Sequence, residues 1–188
     1  MTKYHLYVVL VRTNTVLSNL IHIIKNDTYT HAAIALDKDF KNMYSFGRKK
    51  VYNPFIGCFV KESIDDGLYK IYDSSPCRVL EFEVSKEQYK KASEIVNHFI
   101  VHNDRYKYNY RGLLYSLLNK ETINDRYLCS EFVYHVLKES GVIDLNIPKN
   151  LVRPMNFLTT KNRTVFEGKV GHFLHTTRVN EGIMPDAM

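Results

Sequence analysis

Two stretches decide the fold: YTHAAIALD at residues 29–37 and YLCSEFVYHVL at residues 127–137. The first predicts a buried strand headed by His31, because small and apolar residues follow one another before a polar turn. The second predicts a helix that begins at Cys129, since its apolar residues recur at helical spacing and Gly141 supplies a stop. A histidine therefore opens a strand, and a cysteine opens a helix.

The remaining pattern predicts an α+β protein in which an antiparallel sheet packs against helices. Expected strands are Tyr4 to Arg12, Thr30 to Leu36, Met43 to Gly47 and Cys77 to Val84, with another in GKVGHFLHTTRV at 168–179. Expected helices are Val16 to Lys25, Lys86 to His102, Tyr110 to Asn119 and Cys129 to Ser140. The strand from Met43 is expected to return antiparallel beside the His31 strand, and Ser85 with Gln88 forms a capping-box signal. Residues 51–67 are expected to form a long irregular connection that holds a short strand in GCFVKES at 57–63.

Composition bounds the class of protein. A chain of 188 residues, 45% hydrophobic and without a low-complexity linker, suits a single domain over 1–188. The three cysteines are an odd number without a disulfide framework, and the first apolar run, of about seven residues, is too short for a membrane span of roughly 20. We therefore expect a cytoplasmic protein without a transmembrane segment. The net charge of +6 is scattered and accompanies no nucleic-acid motif, so no nucleic-acid partner is expected.

Cys129 is the sharpest candidate for chemistry. A thiol at a helix amino terminus meets oriented backbone N–H groups and the positive end of the helix dipole, which favour the thiolate. The same N–H groups can hold the oxyanion that forms when a thiolate attacks an acyl carbon. Cys58 and Cys77 lie in a loop or strand edge and at the start of a strand, so they are interpreted as packing residues without a disulfide between them.

A nucleophilic cysteine needs a base, and His31 is the leading candidate. Its strand is rich in alanine, which allows another element to approach closely. The other histidines have simpler interpretations: His98, His102 and His135 as surface residues of helices, His22 in a helix, His172 and His175 in a weakly patterned tail, and His5 as ambiguous.

These two motifs, with the histidine strand before the cysteine helix, resemble the permuted NlpC-type branch of the papain-like superfamily, which includes YiiX-like and lecithin retinol acyltransferase-like proteins. The resemblance spans about Tyr4 to Gly141. It implies a circularly permuted papain-like fold, Cys129 as nucleophile and His31 as general base.

The family also implies a third, polar residue that orients the histidine. Met43, Ser45 and Gly47 share one face of the predicted hairpin, which makes Ser45 the best-placed candidate, although serine is a weaker orienter than the residues common in the family. Glu62 is the rival, since a carboxylate can hold an imidazole in one tautomer and stabilise its charge. The choice between them stays open at this stage. Tyr127 either lines the site or is a half-buried aromatic residue.

The resulting hypothesis is a cysteine hydrolase or acyltransferase that acts on an amide or ester bond, in a peptide or lipid-like substrate, through an acyl-enzyme. The alternative is a catalytically weak or inactive binding module that retains the fold. No cofactor is expected, because the sequence holds no Cys-x-x-Cys pair, calcium loop or phosphate-binding glycine loop.

Overall fold

The computed structural model describes residues 3–13, 25–48, 57–109, 115, 118, 120 and 126–173. The strands in these ranges are β1 (Tyr4–Val11), β2 (His31–Ala35), β3 (Met43–Arg48), β4 (Gly57–Glu62), β5 (Pro76–Val84), β6 (Lys107–Tyr108), β7 (Arg126–Tyr127) and β8 (Arg163–Lys169). The helices are α1 (Gly67–Ile71), α2 (Lys86–Val101) and α3 (Cys129–Glu139), with 3₁₀ turns at Lys149–Leu151 and Pro154–Thr159.

All eight strands form one sheet in the order β7-β6-β4-β3-β2-β1-β5-β8. Every neighbouring pair is antiparallel except β6 with β7, which run parallel. The prediction of an α+β protein is confirmed. The expectation of a purely antiparallel sheet is corrected to a mixed sheet, because the short strand β7 joins the edge beside β6 in the parallel sense.

Strand β1 lies inside the sheet and is covered on both faces. Its even-numbered residues, among them Leu6 and Val8, belong to the core beneath α2 and α3, whereas Tyr7 and Val9 belong to a second core on the other face. A strand buried on both faces needs an unbroken apolar run instead of alternation. This explains why the sequence YHLYVVLV reads as continuously hydrophobic.

Local signals set the two long helices. Ser85 and Gln88 form the predicted capping box at the start of α2. Helix α3 buries Phe132, Val133 and the apolar positions of its next turn against β2 and β3. It ends before Gly141, whose φ of 71° is a left-handed conformation that glycine adopts at low cost.

Aromatic rings join the sheet to the helices. The Phe46 ring centroid lies 5.6 Å from that of Phe132 in α3 and 6.0 Å from that of Phe99 in α2. Phe59 adds a centroid separation of 5.3 Å to Phe132 and packs edge-on against it. Strands β3 and β4 are thereby fixed beneath both helices, which positions any side chain at their ends.

The last part of the chain departs from expectation. The terminal strand covers Arg163–Lys169 instead of starting near Gly168, and residues 170–173, which include His172, are helical. In the irregular connection, the short strand expected in GCFVKES is confirmed as β4. The helices expected at Val16 to Lys25 and Tyr110 to Asn119 lie almost entirely outside the described residues. No helix in the described ranges has the length and apolar character needed to cross a membrane.

The substitution Phe46→Ala tests the sheet-to-helix packing. Phe46 is fully buried, so its removal is expected to leave a cavity and lower the free energy of unfolding by about 3 to 5 kcal/mol. Urea denaturation measures this change. Val165→Ala, at a residue that is 40% exposed, is the control and should change stability by about 0.5 kcal/mol or less. Equal effects of the two substitutions would contradict this account of the core.

Candidate active site

The backbone of β1 positions His31. Val11 pairs with His31 in the sheet register, and the Thr30 N–H donates to the Val11 carbonyl over 3.1 Å. The His31 side chain is buried, with the residue only 6% exposed. His31, the first residue of the inner strand β2, is therefore held in a fixed position at the start of that strand.

A carboxylate meets the His31 ring. Glu62, the last residue of β4, places both side-chain oxygens 3.1 Å from His31 Nε2. Its Oε1 also lies 3.5 Å from where a Cβ on Gly47 would stand. The Glu62 side chain thus passes Gly47 of β3 at ordinary van der Waals distance on its way toward β2.

Two hydroxyl groups hold the Glu62 carboxylate from its other sides. Ser45 Oγ donates to Glu62 Oε1 over 2.7 Å, and Tyr69 Oη donates to Glu62 Oε2 over 3.1 Å. Both residues are fully buried. Burial opposes ionisation of Glu62, but His31 and these two hydroxyls outweigh it and lower the pKa of the carboxyl. A buried carboxylate is therefore kept charged beside the imidazole.

The two candidates for orienting His31 differ in their contacts. Glu62 contacts His31 directly, whereas Ser45 reaches it only through Glu62. Ser45 lies beside the His31–Glu62 pair, as its face of the predicted hairpin suggested. Its hydroxyl bonds to Glu62 and not to His31, because the longer Glu62 side chain occupies the space between them.

Cys129 is the first residue of α3 and is buried, at 7% exposure. The amino terminus of this helix is fixed by Glu131, whose Oε2 accepts from the Leu128 N–H over 2.7 Å. Asn109 Nδ2 donates to both oxygens of Glu131. Burial raises the pKa of Glu131, and the Leu128 and Asn109 donors partly oppose this effect. The helix end that carries the thiol is thus locked by a buried side chain.

The Cys129 side chain interacts with the His31 imidazole. Burial by itself lowers the pKa of His31, but the Glu62 carboxylate together with Cys129 outweighs burial and raises it to about 10. The imidazole is therefore protonated at neutral pH and forms an ion pair with the Glu62 carboxylate.

The ion pair makes a contribution to stability that depends on pH. For His31, whose pKa rises from 6.5 to about 10, the contribution is complete below 6.5 and is lost as the pH rises through 10. For Glu62, whose pKa falls below 4.5, it is complete above 4.5 and is lost as the pH falls through the lowered value. Both contributions are complete only from about pH 4.5 to 6.5.

The remaining sequence-predicted residues fall outside this cluster. Cys58 and Cys77, like Cys129, form no disulfide. Burial raises the pKa of Cys77 to about 12, which fits a packing residue. Tyr127 is buried and packs 5.2 Å from Phe46, measured between ring centroids. His98 is exposed as expected, but His135 is partly buried against aromatic rings. His22 and His175 lie outside the described residues.

Two positioning residues escaped the sequence interpretation. Glu131 had a usable signal, since an acidic residue three positions after the N-cap commonly accepts from the cap N–H. Tyr69 had none, because it is one of 14 tyrosines and lies in a five-residue helix.

Comparison with known proteins adds no assignment: neither a protein-family model nor a curated protein matches the chain. Within the described ranges, no group of three or more His, Cys, Asp and Glu side chains is arranged to hold a metal ion. The functional interpretation therefore depends on the geometry of His31, Glu62 and Cys129.

Glu62→Gln tests the ion pair. The amide keeps the shape of the side chain but removes the charge, so burial should dominate and the pKa of His31 is expected to fall from about 10 to below 6.5. Titration of the His31 Cε1–H resonance by NMR measures the change. Glu83→Gln, at an exposed carboxylate paired with Lys3, is the control and should leave the His31 titration unchanged. A His31 pKa that stays high in Glu62→Gln would show that the Glu62 carboxylate is not the main cause of the raised pKa.

Proposed function

We propose that the protein is a cysteine hydrolase or acyltransferase that cleaves an amide or ester bond through an acyl-enzyme. The observation that carries the proposal is the position of His31 between the Glu62 carboxylate and a cysteine at a helix amino terminus. A nucleophile, a base and an orienting carboxylate in series form the arrangement by which thiol enzymes activate sulfur.

In the first step, the Cys129 thiolate attacks the carbonyl carbon and forms a carbon–sulfur bond, while the carbonyl π electrons move to oxygen. The tetrahedral intermediate collapses with cleavage of the carbon–nitrogen or carbon–oxygen bond. His31, as the imidazolium, donates its proton to the departing amine or alcohol. Glu62 remains ionised throughout and holds the imidazole by Nε2.

In the second step, neutral His31 takes a proton from water or from another acceptor. The resulting nucleophile attacks the thioester carbon, and the carbon–sulfur bond breaks to regenerate the thiolate and the imidazolium. Water gives hydrolysis, whereas an amine or alcohol gives acyl transfer. The same two side chains serve both outcomes, so the acceptor decides which reaction occurs.

The amino terminus of α3 is suited to stabilise the oxyanion of both steps. Phe132 is the first residue whose N–H bonds a backbone carbonyl within the helix, that of Leu128. The N–H groups of Cys129 and Ser130 precede it and point toward the amino end, as those of every first helical turn do. Donors fixed in this way can meet a developing negative charge without rearranging.

The order of the elements supports a circularly permuted papain-like fold as part of this proposal. The histidine strand β2 comes before the cysteine helix α3 in the chain, and α3 packs on β2 and β3. Peptide-like and lipid-like acyl groups are both compatible with the chemistry, and a cytoplasmic location accompanies the proposal.

The alternative of a catalytically weak binding module has less support than the enzyme. That alternative depended on serine as a poor orienter of the histidine. The direct contact of Glu62 with His31 supplies a carboxylate in that role. We therefore prefer the enzyme.

Labelling with an acyl-type cysteine probe tests the proposal. We expect modification of Cys129 to outpace that of the half-buried Cys58 near neutral pH. His31→Ala should slow labelling of Cys129, because the positive partner of the thiolate is gone. It should also reduce turnover of an activated ester by about a hundredfold or more, the usual contribution of a general base.

The matched control is His135→Gln, since His135 lies on the same helix as Cys129 but packs against Phe99 and Tyr127. It should keep both the pH profile of labelling and the turnover of the parent protein. Equal labelling of Cys58 and Cys129, or an unchanged profile in His31→Ala, would rule out a functional pair.

A further inference from the structure

Two histidines lie one helical turn apart at the carboxyl end of α2. His98 and His102 stand four positions apart in the sequence NHFIVHN at 97–103. This spacing places both side chains on one face of a helix. Their interpretation as surface residues left the spacing unused.

The two imidazole rings lie against each other. Their centroids are 4.4 Å apart, and the ring planes are tilted by 33°. His98 is exposed and His102 is half-buried, so an ion from solvent can reach the pair without opening the core. Two histidines at this spacing on one helix can bind a single metal ion.

A backbone carbonyl orients the His102 ring. His102 Nδ1 lies 2.9 Å from the carbonyl oxygen of His98. Because a carbonyl can only accept, Nδ1 carries the proton of the neutral ring and Nε2 carries its lone pair. Within the described ranges, this Nε2 has no hydrogen-bond partner. A hydrogen bond from the other ring nitrogen is the usual support of a metal-binding histidine.

Tyr106 supports the His98 ring. Its hydroxyl lies 2.8 Å from His98 Nε2, and its own ring stacks on Phe99 with the centroids 4.2 Å apart. When the His98 ring donates to this hydroxyl, its Nδ1 keeps a lone pair. Each of the two rings can therefore offer one nitrogen to an ion.

The end of the helix also favours a cation. Helix α2 ends at Val101, and the carbonyl groups of a last helical turn carry the negative end of the helix dipole. The described residues form no group of three or more His, Cys, Asp and Glu side chains around this pair, so water would complete the coordination. Imidazole ligands without carboxylates select late transition metals over Mg²⁺ and Ca²⁺.

We propose that His98 and His102 together chelate one divalent transition-metal ion of the class Ni²⁺, Cu²⁺ and Zn²⁺. The helix sets the spacing of the rings, and the His98 carbonyl and the Tyr106 hydroxyl orient them. The unfolded chain does not keep the rings side by side, so the ion also stabilises the folded protein. This site is independent of the chemistry proposed for Cys129.

Zn²⁺ is the probe and Mg²⁺ its control. Each is titrated into the full-length protein and followed by NMR at the histidine Cε1–H resonances. We expect His98 and His102 to shift together with Zn²⁺ and to saturate with one apparent Kd, while His5 on β1 changes little. Mg²⁺ should shift neither, because it prefers oxygen ligands. Different apparent Kd values for the two histidines, or equal shifts with Mg²⁺, would overturn the proposal.

The variant His102→Gln removes one of the two imidazoles. It should weaken Zn²⁺ binding at His98 by about a hundredfold, the scale of the gain when two binding groups are linked. His5→Gln also removes one histidine, but at a site outside the pair, and should leave the Zn²⁺ affinity unchanged. An unchanged affinity in His102→Gln would contradict chelation.

A double variant tests the spacing itself. Asn97→His with His98→Gln keeps the number of histidines but turns the first imidazole by about 100° around α2. Asn97 is exposed, so the new side chain meets solvent. We expect Zn²⁺ binding at His102 to weaken as much as in the single variant His98→Gln. A Zn²⁺ affinity equal to that of the parent protein would show that the spacing does not matter, and the proposal would fail.

Discussion

The ion pair between His31 and Glu62 is the interaction on which the candidate active site depends. Each partner alone would lose charge in this buried position, since burial opposes ionisation of both. Together, and with the Ser45 and Tyr69 hydroxyls on the carboxylate, they remain charged. The pair requires β2, β3 and β4 to keep their register, because a slip of one residue would turn Glu62 to the opposite face of the sheet.

The cysteine side of the site obeys a separate constraint, which is the position of a helix end. Glu131 and Asn109 fix the start of α3, and Ser130 Oγ donates to the Val152 carbonyl over 2.6 Å. The buried stripe on α3 then sets its distance from β2 and β3. The sheet thus positions His31 and the core positions Cys129, so that neither needs a flexible segment to bring the two together.

Much of this arrangement was predictable from local patterns. The strand headed by His31, the helix headed by Cys129 and the capping box at Ser85 depend on nearby residues, and all three are observed. The contact of Glu62 with His31 depends instead on a side chain that reaches from β4 across β3 to β2, which no local period encodes. The burial of His135 likewise comes from α2 and β7 packing around it. Long-range packing, and not propensity, limited the prediction.

The carboxylate partner also affects how the proposed reaction proceeds. An imidazole whose pKa is about 10 is a poor proton donor, which would slow departure of the leaving group if that value persisted. Part of the rise, however, comes from the hydrogen bond and the charge of Cys129. Once the sulfur is bonded to the acyl carbon, its negative charge is gone, and only Glu62 still favours the imidazolium. The pKa of His31 therefore falls as the carbon–sulfur bond forms, and the imidazolium becomes a stronger acid at the stage when the leaving group needs its proton.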